Sequence, residues 1–288
     1  MGFYGLIMAS NLYKVSYGTK DGMELVMGVK SPVNANGAAV VMVVSGGFKS
    51  SWEQAVNMSR LSQPLTDRGY TLFFVVHGSA PRYAALDAMA DVRRAIRYIR
   101  HNASEYGIDA NRIGITGGSS GGHTSLCIAT CGDDGHPDSD DPVERESSKV
   151  QAVACFFPLA DLVNWDFSHD EFGLGTKQRA NEAPFAHTRK DSVSSTYKLI
   201  SDTTEIRKIA YELSPFYSIT SETPPVFIAH GDADRAIPLD QSIRFVNRLK
   251  ENQVPTELVV KYGGGHGKWS DMQSYYGKIA DWYDKYLK

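Results

Sequence analysis

A glycine- and serine-rich stretch, Gly117-Gly118-Ser119-Ser120-Gly121-Gly122-His123, contains the residues best suited to chemistry in this chain. A β-prone apolar run precedes it and a helical segment follows it. Between a strand and a helix, the pattern G-x-S-x-G is typical of a nucleophile elbow, because glycines on both sides of the serine permit a very sharp turn. The serine hydroxyl then projects beside the positive end of the helix, which suits attack on a carbonyl group and stabilisation of the resulting oxyanion. Turns of this composition also bind phosphate, and this reading stays open on the motif alone.

Two serines of this stretch satisfy the motif. Ser119 has glycine at positions two before and two after it, and so has Ser120. A small residue at the third position after the serine lets the helix pack against the strand, and only Ser119 has glycine there, Gly122. We therefore expect Ser119 to be the nucleophile, with Ser120 as the alternative.

A serine nucleophile needs a base that takes its proton and an acid that orients the base. His266 lies in a glycine-rich loop after the last predicted strand, and Asp234 follows the strand before it. Because the carboxyl ends of parallel strands lie at one edge of a sheet, both side chains are expected there. Asp232 competes with Asp234 for the acid position, and Asp161 is a more distant candidate.

An oxyanion hole needs two backbone N–H donors. One is expected from Ser120, which directly follows the nucleophile. The other is expected from Gly46 or Gly47, because these glycines follow an earlier buried strand and let the backbone approach a substrate. A plain tight turn is the alternative interpretation of the two glycines.

Predicted strands and helices alternate from residue 38 to the end, which indicates a mostly parallel sheet with helices on both faces. Predicted strands cover 38–44, 72–76, 112–116, 150–156, 226–230 and 257–260, after an N-terminal hairpin with strands at 12–17 and 24–29. Predicted helices cover 52–68, 84–104, 124–129, 240–251 and 270–287.

Two stretches interrupt the alternation. Residues 131–148 predict a solvated loop, with calcium binding by its aspartates as the alternative. Those aspartates are Asp133, Asp134, Asp138, Asp140 and Asp141. Residues 162–223 have weak periodicity and a predicted helix at 203–213, and segments this long are usually functional. Their aromatic residues are Trp165, Phe167, Phe172 and Phe185. We expect a lid or cap inserted into a single domain that spans residues 1–288.

Composition limits the class of protein. The chain has 288 residues, a net charge of −3 and 42% hydrophobic residues, and it lacks a basic patch that would indicate nucleic-acid binding. No apolar run reaches the roughly 18 residues that span a bilayer, and residues 1–10 make a poor signal peptide. We expect a cytoplasmic protein, with a secreted form whose signal has been trimmed as the alternative. Neither nucleic acid nor a membrane is expected as a partner, and a homodimer is the candidate assembly.

These motifs together resemble the α/β-hydrolases, and more narrowly the carboxylesterases related to hormone-sensitive lipase and the bacterial feruloyl and acetyl esterases. The resemblance runs from about residue 38 to the C-terminus. The motifs that carry it are Ser45-Gly46-Gly47-Phe48, residues 106–114, the elbow, Pro224-Pro225 before a strand ending His230-Gly231, Asp234, and Gly265-His266-Gly267. One departure stands out, because the usual His-Gly-Gly-Gly reads Val44-Ser45-Gly46-Gly47 here.

The resemblance implies an α/β-hydrolase fold and hydrolysis of carboxylic esters through an acyl-serine intermediate, without a cofactor. The expected substrates are small or carbohydrate-linked esters carrying acetyl, short acyl or feruloyl groups. A serine peptidase or amidase of the prolyl-oligopeptidase type is one alternative, since Gly-Gly-Ser-x-Gly-Gly also occurs there. A non-catalytic small-molecule-binding protein with the same fold is the other alternative.

Overall fold

The computed structural model describes residues 12–164, 184–191 and 194–288. Ten strands lie within them. They are β1 (Tyr13–Lys20), β2 (Met23–Lys30), β3 (Ala39–Val44), β4 (Thr71–Val76), β5 (Ile113–Gly118), β6 (Ala152–Phe156), β7 (Thr188–Lys190), β8 (Tyr197–Leu199), β9 (Val226–Gly231) and β10 (Thr256–Lys261).

Eight of these strands form one twisted sheet in the order β1-β2-β4-β3-β5-β6-β9-β10. All neighbours from β4 to β10 in this order pair in parallel, whereas β1 and β2 form an antiparallel hairpin and β2 pairs antiparallel with β4. The turn of the hairpin contains Asp21 and Gly22, both at positive φ, as the Asp-Gly dipeptide predicts. The predicted α/β-hydrolase fold with a mostly parallel central sheet is confirmed.

Helices cover both faces of the sheet. They are α1 (Trp52–Leu61), α2 (Gln63–Asp67), α3 (Ala85–His101), α4 (Ser120–Cys131), α5 (Thr203–Glu212), α6 (Leu239–Glu251) and α7 (Met272–Leu287). Alternate residues of β3 point into two separate cores. Val41 and Val43 pack with apolar residues of α3, α4 and α6, while Val40 and Met42 pack with those of α1, α2 and α7. Because β3 is buried on both faces, its sequence is continuously apolar.

The single helix predicted over residues 52–68 is wrong in one respect, since the structure divides it into α1 and α2. The break lies at Ser62, and Pro64 stands in the first turn of α2. Proline lacks an N–H group and its ring clashes with the preceding turn, so a continuous helix through this position would be costly. Pro64 was the signal in the sequence for this break.

The segment at residues 162–223 contains the hairpin of β7 and β8 and then α5, which agrees with the predicted helix. Phe185 is buried in a core with Ile209 and Leu213, so this aromatic side chain belongs to the packing of the segment. Trp165, Phe167 and Phe172 lie outside the described residues, as do residues 1–10. The lid and the single domain stay predictions.

The aspartate-rich loop after α4 is held by basic side chains. Asp133 accepts a hydrogen bond from the buried Arg97 guanidinium at 2.5 Å, and Asp141 accepts one from Arg94 at 2.8 Å. Lys149 lies 2.7 Å from Asp134. In the part of the chain that the structure describes, no three or more His, Cys, Asp or Glu side chains are grouped to hold a metal ion. The loop is therefore an ion-paired structural element, and the calcium alternative has no support there.

No helix within residues 12–164, 184–191 and 194–288 combines the length and the apolar character that a bilayer span requires. The expected cytoplasmic location, the homodimer and the absence of nucleic-acid or membrane partners stay predictions.

His123 is completely buried on α4. Its Nδ1 donates a hydrogen bond to the Leu159 carbonyl oxygen at 3.2 Å, and its Nε2 lies 3.6 Å from Cys127 Sγ. Burial lowers the pKa of His123 to about 4. The imidazole is therefore neutral in the folded protein at pH values where an unfolded histidine would already be protonated.

We expect the free energy of unfolding to decrease as the pH falls from about 6.5 to about 4, because only the unfolded chain binds a proton at His123 in this window. The contribution approaches about 1.4 kcal/mol per pH unit. Urea unfolding at several pH values, for the wild type and for His123→Gln, measures it. The variant has no titrating group at this position and should show the shallower pH dependence; an equal dependence in both would contradict the assignment.

Candidate active site

The backbone at Ser119 is strained. Between the end of β5 and the start of α4, Ser119 has φ 55° and ψ −123°, a combination that residues with a Cβ rarely adopt. A Cβ on Gly117 would lie 2.5 Å from the carbonyl carbon of Gly121. The two segments therefore approach so closely that only glycine fits at Gly117, and the sharp turn expected from the sequence is present.

Three side chains form one hydrogen-bonded chain at this turn. Ser119 Oγ lies 2.9 Å from His266 Nε2, and His266 Nδ1 lies 2.7 Å from Asp234 Oδ2. An ionised carboxylate can only accept, so Nδ1 carries the proton and Nε2 is left to accept the proton of the serine hydroxyl. The structure thus brings together the three residues that the sequence singled out, and it gives Ser120 no contact with His266 among the described interactions.

Parallel pairing of β9 with β10 positions the acid and the histidine. Gly231 and Lys261 are paired at the ends of the two strands, and the loops that follow are joined by backbone hydrogen bonds. Asp232 accepts a hydrogen bond from the Gly263 N–H at 2.6 Å, so this carboxylate ties the two loops together. Asp161, the third candidate acid, pairs with Arg244 at 2.8 Å.

The Asp234 carboxylate is fully buried and yet ionised. Burial alone would raise its pKa, but hydrogen bonds from His230, His266 and the N–H groups of Ile237 and Ala236 outweigh this effect. Together they hold the pKa of Asp234 well below the usual aspartate range. His230 Nε2 lies 3.4 Å from Asp234 Oδ2, so this histidine, the last but one residue of β9, contributes to holding the carboxylate in its ionised form.

Aromatic residues that the sequence did not single out lie on one side of the partly exposed His266. The Phe157 ring lies edge-on to the imidazole at a centroid distance of 4.8 Å, and Trp269 lies 5.5 Å from Phe157. Trp269 also donates a hydrogen bond from Nε1 to the Gly265 carbonyl oxygen. Phe157 has φ 35°, an uncommon value for a bulky residue. Phe157 could have been expected near the site from the sequence, because it directly follows β6 at the same sheet edge as Ser119.

Of the three N–H groups expected as oxyanion donors, one is already used in a backbone hydrogen bond. Ser120 is the first residue of α4, so its N–H has no partner within the helix. The Gly46 N–H, in contrast, donates to the Lys49 carbonyl oxygen at 2.9 Å. This corrects the expectation for Gly46, whose N–H is already used inside its own turn. Gly47 is exposed at φ 57° and keeps its place as the candidate second donor.

Comparison with known proteins agrees with this arrangement. The family model described as BD-FAE matches residues 27–249, which is most of the chain. The chain belongs to the BD-FAE family. This confirms the resemblance to α/β-hydrolase carboxylesterases that the sequence motifs indicated.

One curated relative is the probable carboxylic ester hydrolase LipM of Mycobacterium tuberculosis, 26% identical over 214 residues, which are 74% of this chain and 45% of that protein. The chain spans about half the length of the curated relatives it matches.

Two solved structures share the fold. They are an acetyl ester-xyloside bifunctional hydrolase from Caldicellulosiruptor lactoaceticus (TM-score 0.74, 21% identity, 98% of both chains) and a truncated carbohydrate esterase from gut microbiota (TM-score 0.76, 22% identity, 96% of both chains).

The low pKa of Asp234 can be measured directly. In protein labelled with ¹³C at aspartate carboxyl groups, we expect the Asp234 resonance, assigned with Asp234→Asn, not to titrate between about pH 8 and pH 3. His230→Leu removes one donor while burial stays, so the pKa of Asp234 should rise. An unchanged pKa in His230→Leu would show that His230 does not stabilise the carboxylate.

Proposed function

We propose that this protein is a serine carboxylic-ester hydrolase in which Ser119 is the nucleophile, His266 the general base and acid, and Asp234 the orienting carboxylate. The observation that carries the proposal is the hydrogen-bonded chain from Ser119 through His266 to the buried Asp234, on a strained turn between β5 and α4. Family membership and the names of the curated relatives support the same activity.

The geometry supports a two-step mechanism. Ser119 Oγ attacks the ester carbonyl carbon while His266 Nε2 takes the hydroxyl proton, and Asp234 stabilises the imidazolium that forms. The N–H groups of Ser120 and Gly47 donate to the oxyanion of the tetrahedral intermediate. His266 then gives its proton to the leaving alcohol, and an acyl-serine remains. Water attacks the acyl group with His266 again acting as base, and the acid is released as Ser119 recovers its proton.

For the substrate, we propose small or carbohydrate-linked esters with acetyl, short acyl or feruloyl groups. Two solved structures that share the fold are described as an acetyl ester-xyloside bifunctional hydrolase and as a carbohydrate esterase, which supports this class. Tyr262 is also consistent with this class, because the residue is 86% exposed in the loop that carries His266. An exposed aromatic residue suits contact with a sugar ring or a phenolic acid.

Replacing Ser119 by alanine removes the attacking oxygen and leaves the rest of the turn unchanged. We expect kcat for p-nitrophenyl acetate to fall by about 10⁴-fold or more, with an unchanged circular-dichroism spectrum. Ser104→Ala, at an exposed serine after α3, is the control and should retain wild-type kcat. A fluorophosphonate probe should label the peptide containing Ser119 in the wild type only. Wild-type activity in Ser119→Ala would refute the mechanism.

A substrate panel tests the proposed class. We expect acetylated xylo-oligosaccharides, p-nitrophenyl acetate and methyl ferulate to include the substrates with the highest kcat/KM. The long-chain ester p-nitrophenyl palmitate and the amide alanine p-nitroanilide should be cleaved far more slowly. The amide tests the peptidase alternative, because the same three side chains could serve it. If kcat/KM for the amide exceeds that for the esters, the esterase proposal is wrong.

A further inference from the structure

The loop that follows β3, residues 45–50, is built around an unusual turn. We refer to it as the β3 loop. Gly46 and Lys49 exchange two backbone hydrogen bonds, and the two residues between them, Gly47 and Phe48, have φ 57° and 58°. Two central residues at positive φ define a type I′ turn. For Phe48 this conformation costs about 1–2 kcal/mol relative to ordinary backbone, so other contacts must hold the loop in it.

The hydroxyl of Ser120 supplies one such contact. Ser120 Oγ accepts a hydrogen bond from the Phe48 N–H at 3.1 Å and lies 2.9 Å from Ser45 Oγ, where either hydroxyl can donate. Ser120 is almost completely buried, and the Phe48 ring is buried against His123 at a centroid distance of 5.6 Å. Ser120, the first residue of α4, is therefore bonded to the β3 loop at two positions, the Phe48 N–H and the Ser45 hydroxyl.

A second pair of hydroxyls holds the far end of the same loop. Ser50 Oγ donates to the Val44 carbonyl oxygen and accepts from the His77 N–H at 3.2 Å. Ser79 Oγ accepts from the Ser50 N–H at 2.8 Å and donates to the Ser50 carbonyl oxygen at 3.0 Å. These bonds join the β3 loop to the chain after β4. These hydrogen bonds hold the loop against the ends of β3 and β4, but they do not join it to the turn at Ser119.

Ser120 is in a different position, because its backbone N–H is itself one of the two proposed oxyanion donors. Its hydroxyl is bonded to the turn that presents the other donor, the Gly47 N–H. The distance between the two donors is thus set through a single residue. A donor that is displaced by about 1 Å loses much of its stabilisation of the transition state.

We propose that the Ser120 side chain is a positioning residue, which holds the β3 loop so that the Gly47 and Ser120 N–H groups point at one oxyanion. This inference rests on the proposed esterase function. It bears on the departure seen in the sequence, where Val44, directly before the β3 loop, stands in place of the histidine of the related esterases. Hydroxyl groups of Ser120 and Ser45 hold the loop in its place.

Ser120→Ala tests the proposal, since it keeps the backbone N–H and removes only the hydroxyl. For p-nitrophenyl acetate we expect kcat to fall by about 10- to 100-fold while KM changes by less than about 2-fold. A trifluoromethyl ketone, which Ser119 Oγ converts to a hemiketal with an oxyanion, should lose affinity by the same factor as kcat. The corresponding secondary alcohol forms no oxyanion, and its inhibition constant should be unchanged.

Ser125→Ala is the matched control. Ser125 is a buried serine of the same helix, and its hydroxyl donates to the Gly121 carbonyl oxygen at 2.8 Å. This variant should keep wild-type kcat and wild-type affinity for the ketone. If Ser120→Ala fails to fold, Ser45→Ala decides, because Ser45 is only half-buried and contributes one of the two bonds. It should show a smaller loss of kcat and of ketone affinity, again at unchanged KM.

Wild-type kcat and ketone affinity in Ser120→Ala would overturn the inference, and so would equal losses in Ser120→Ala and Ser125→Ala. Neither outcome would affect the proposed function, which depends on Ser119. Activity retained in Ser119→Ala would refute the proposed function instead, whatever the result at Ser120.

Discussion

The contact between Gly117 and Gly121 is the constraint on which the site depends. Because the backbone of the two residues almost touches, the chain can reverse direction between β5 and α4 within a few residues. The reversal forces Ser119 to φ 55° and aims its hydroxyl toward the histidine loop. Any side chain at Gly117 would separate strand and helix and move the Ser119 hydroxyl. The strain at Ser119 persists because the packing of β5 and α4 on both sides holds it.

The sheet supplies the remaining geometry. Four loops leave the carboxyl ends of β3, β5, β9 and β10, and parallel pairing brings these ends to one edge. Side chains far apart in sequence therefore meet without a dedicated interface, as His266 does with Ser119 across 147 residues. Among Ser119, His266 and Asp234, the buried Asp234 carries the largest desolvation penalty, because burial disfavours its ionised form. His230, the last but one residue of β9, and the backbone of the following turn stabilise its charge, so the strand that leads to Asp234 also stabilises the carboxylate.

Much of this arrangement could be predicted from the sequence, because glycine spacing and strand ends are local signals. Ser119, Asp234 and His266 each follow an apolar run and lie in a turn-forming context. The hydrogen bond from the Gly46 N–H to the Lys49 carbonyl oxygen could not be predicted, because it depends on a backbone conformation of Phe48 that phenylalanine disfavours. The hydrogen bond between the Ser120 hydroxyl and the Phe48 N–H in the β3 loop joins residues that are 72 positions apart in the sequence. Contacts between such distant residues produce no periodic pattern in the sequence from which they could be predicted.

Holding the β3 loop with hydroxyl groups has an electrostatic consequence. Serine does not titrate in the physiological range, so the hydrogen bonds that these side chains make do not depend on their own protonation. Two histidines contact the loop, since His77 donates its backbone N–H to Ser50 and His123 packs against the Phe48 ring. Burial lowers the pKa of both histidines to about 4. Both imidazoles are therefore neutral at neutral pH. Neither histidine therefore adds a positive charge beside the loop at that pH. In the proposed mechanism, Asp234 accepts the hydrogen bond from His266 Nδ1 and stabilises the imidazolium that forms.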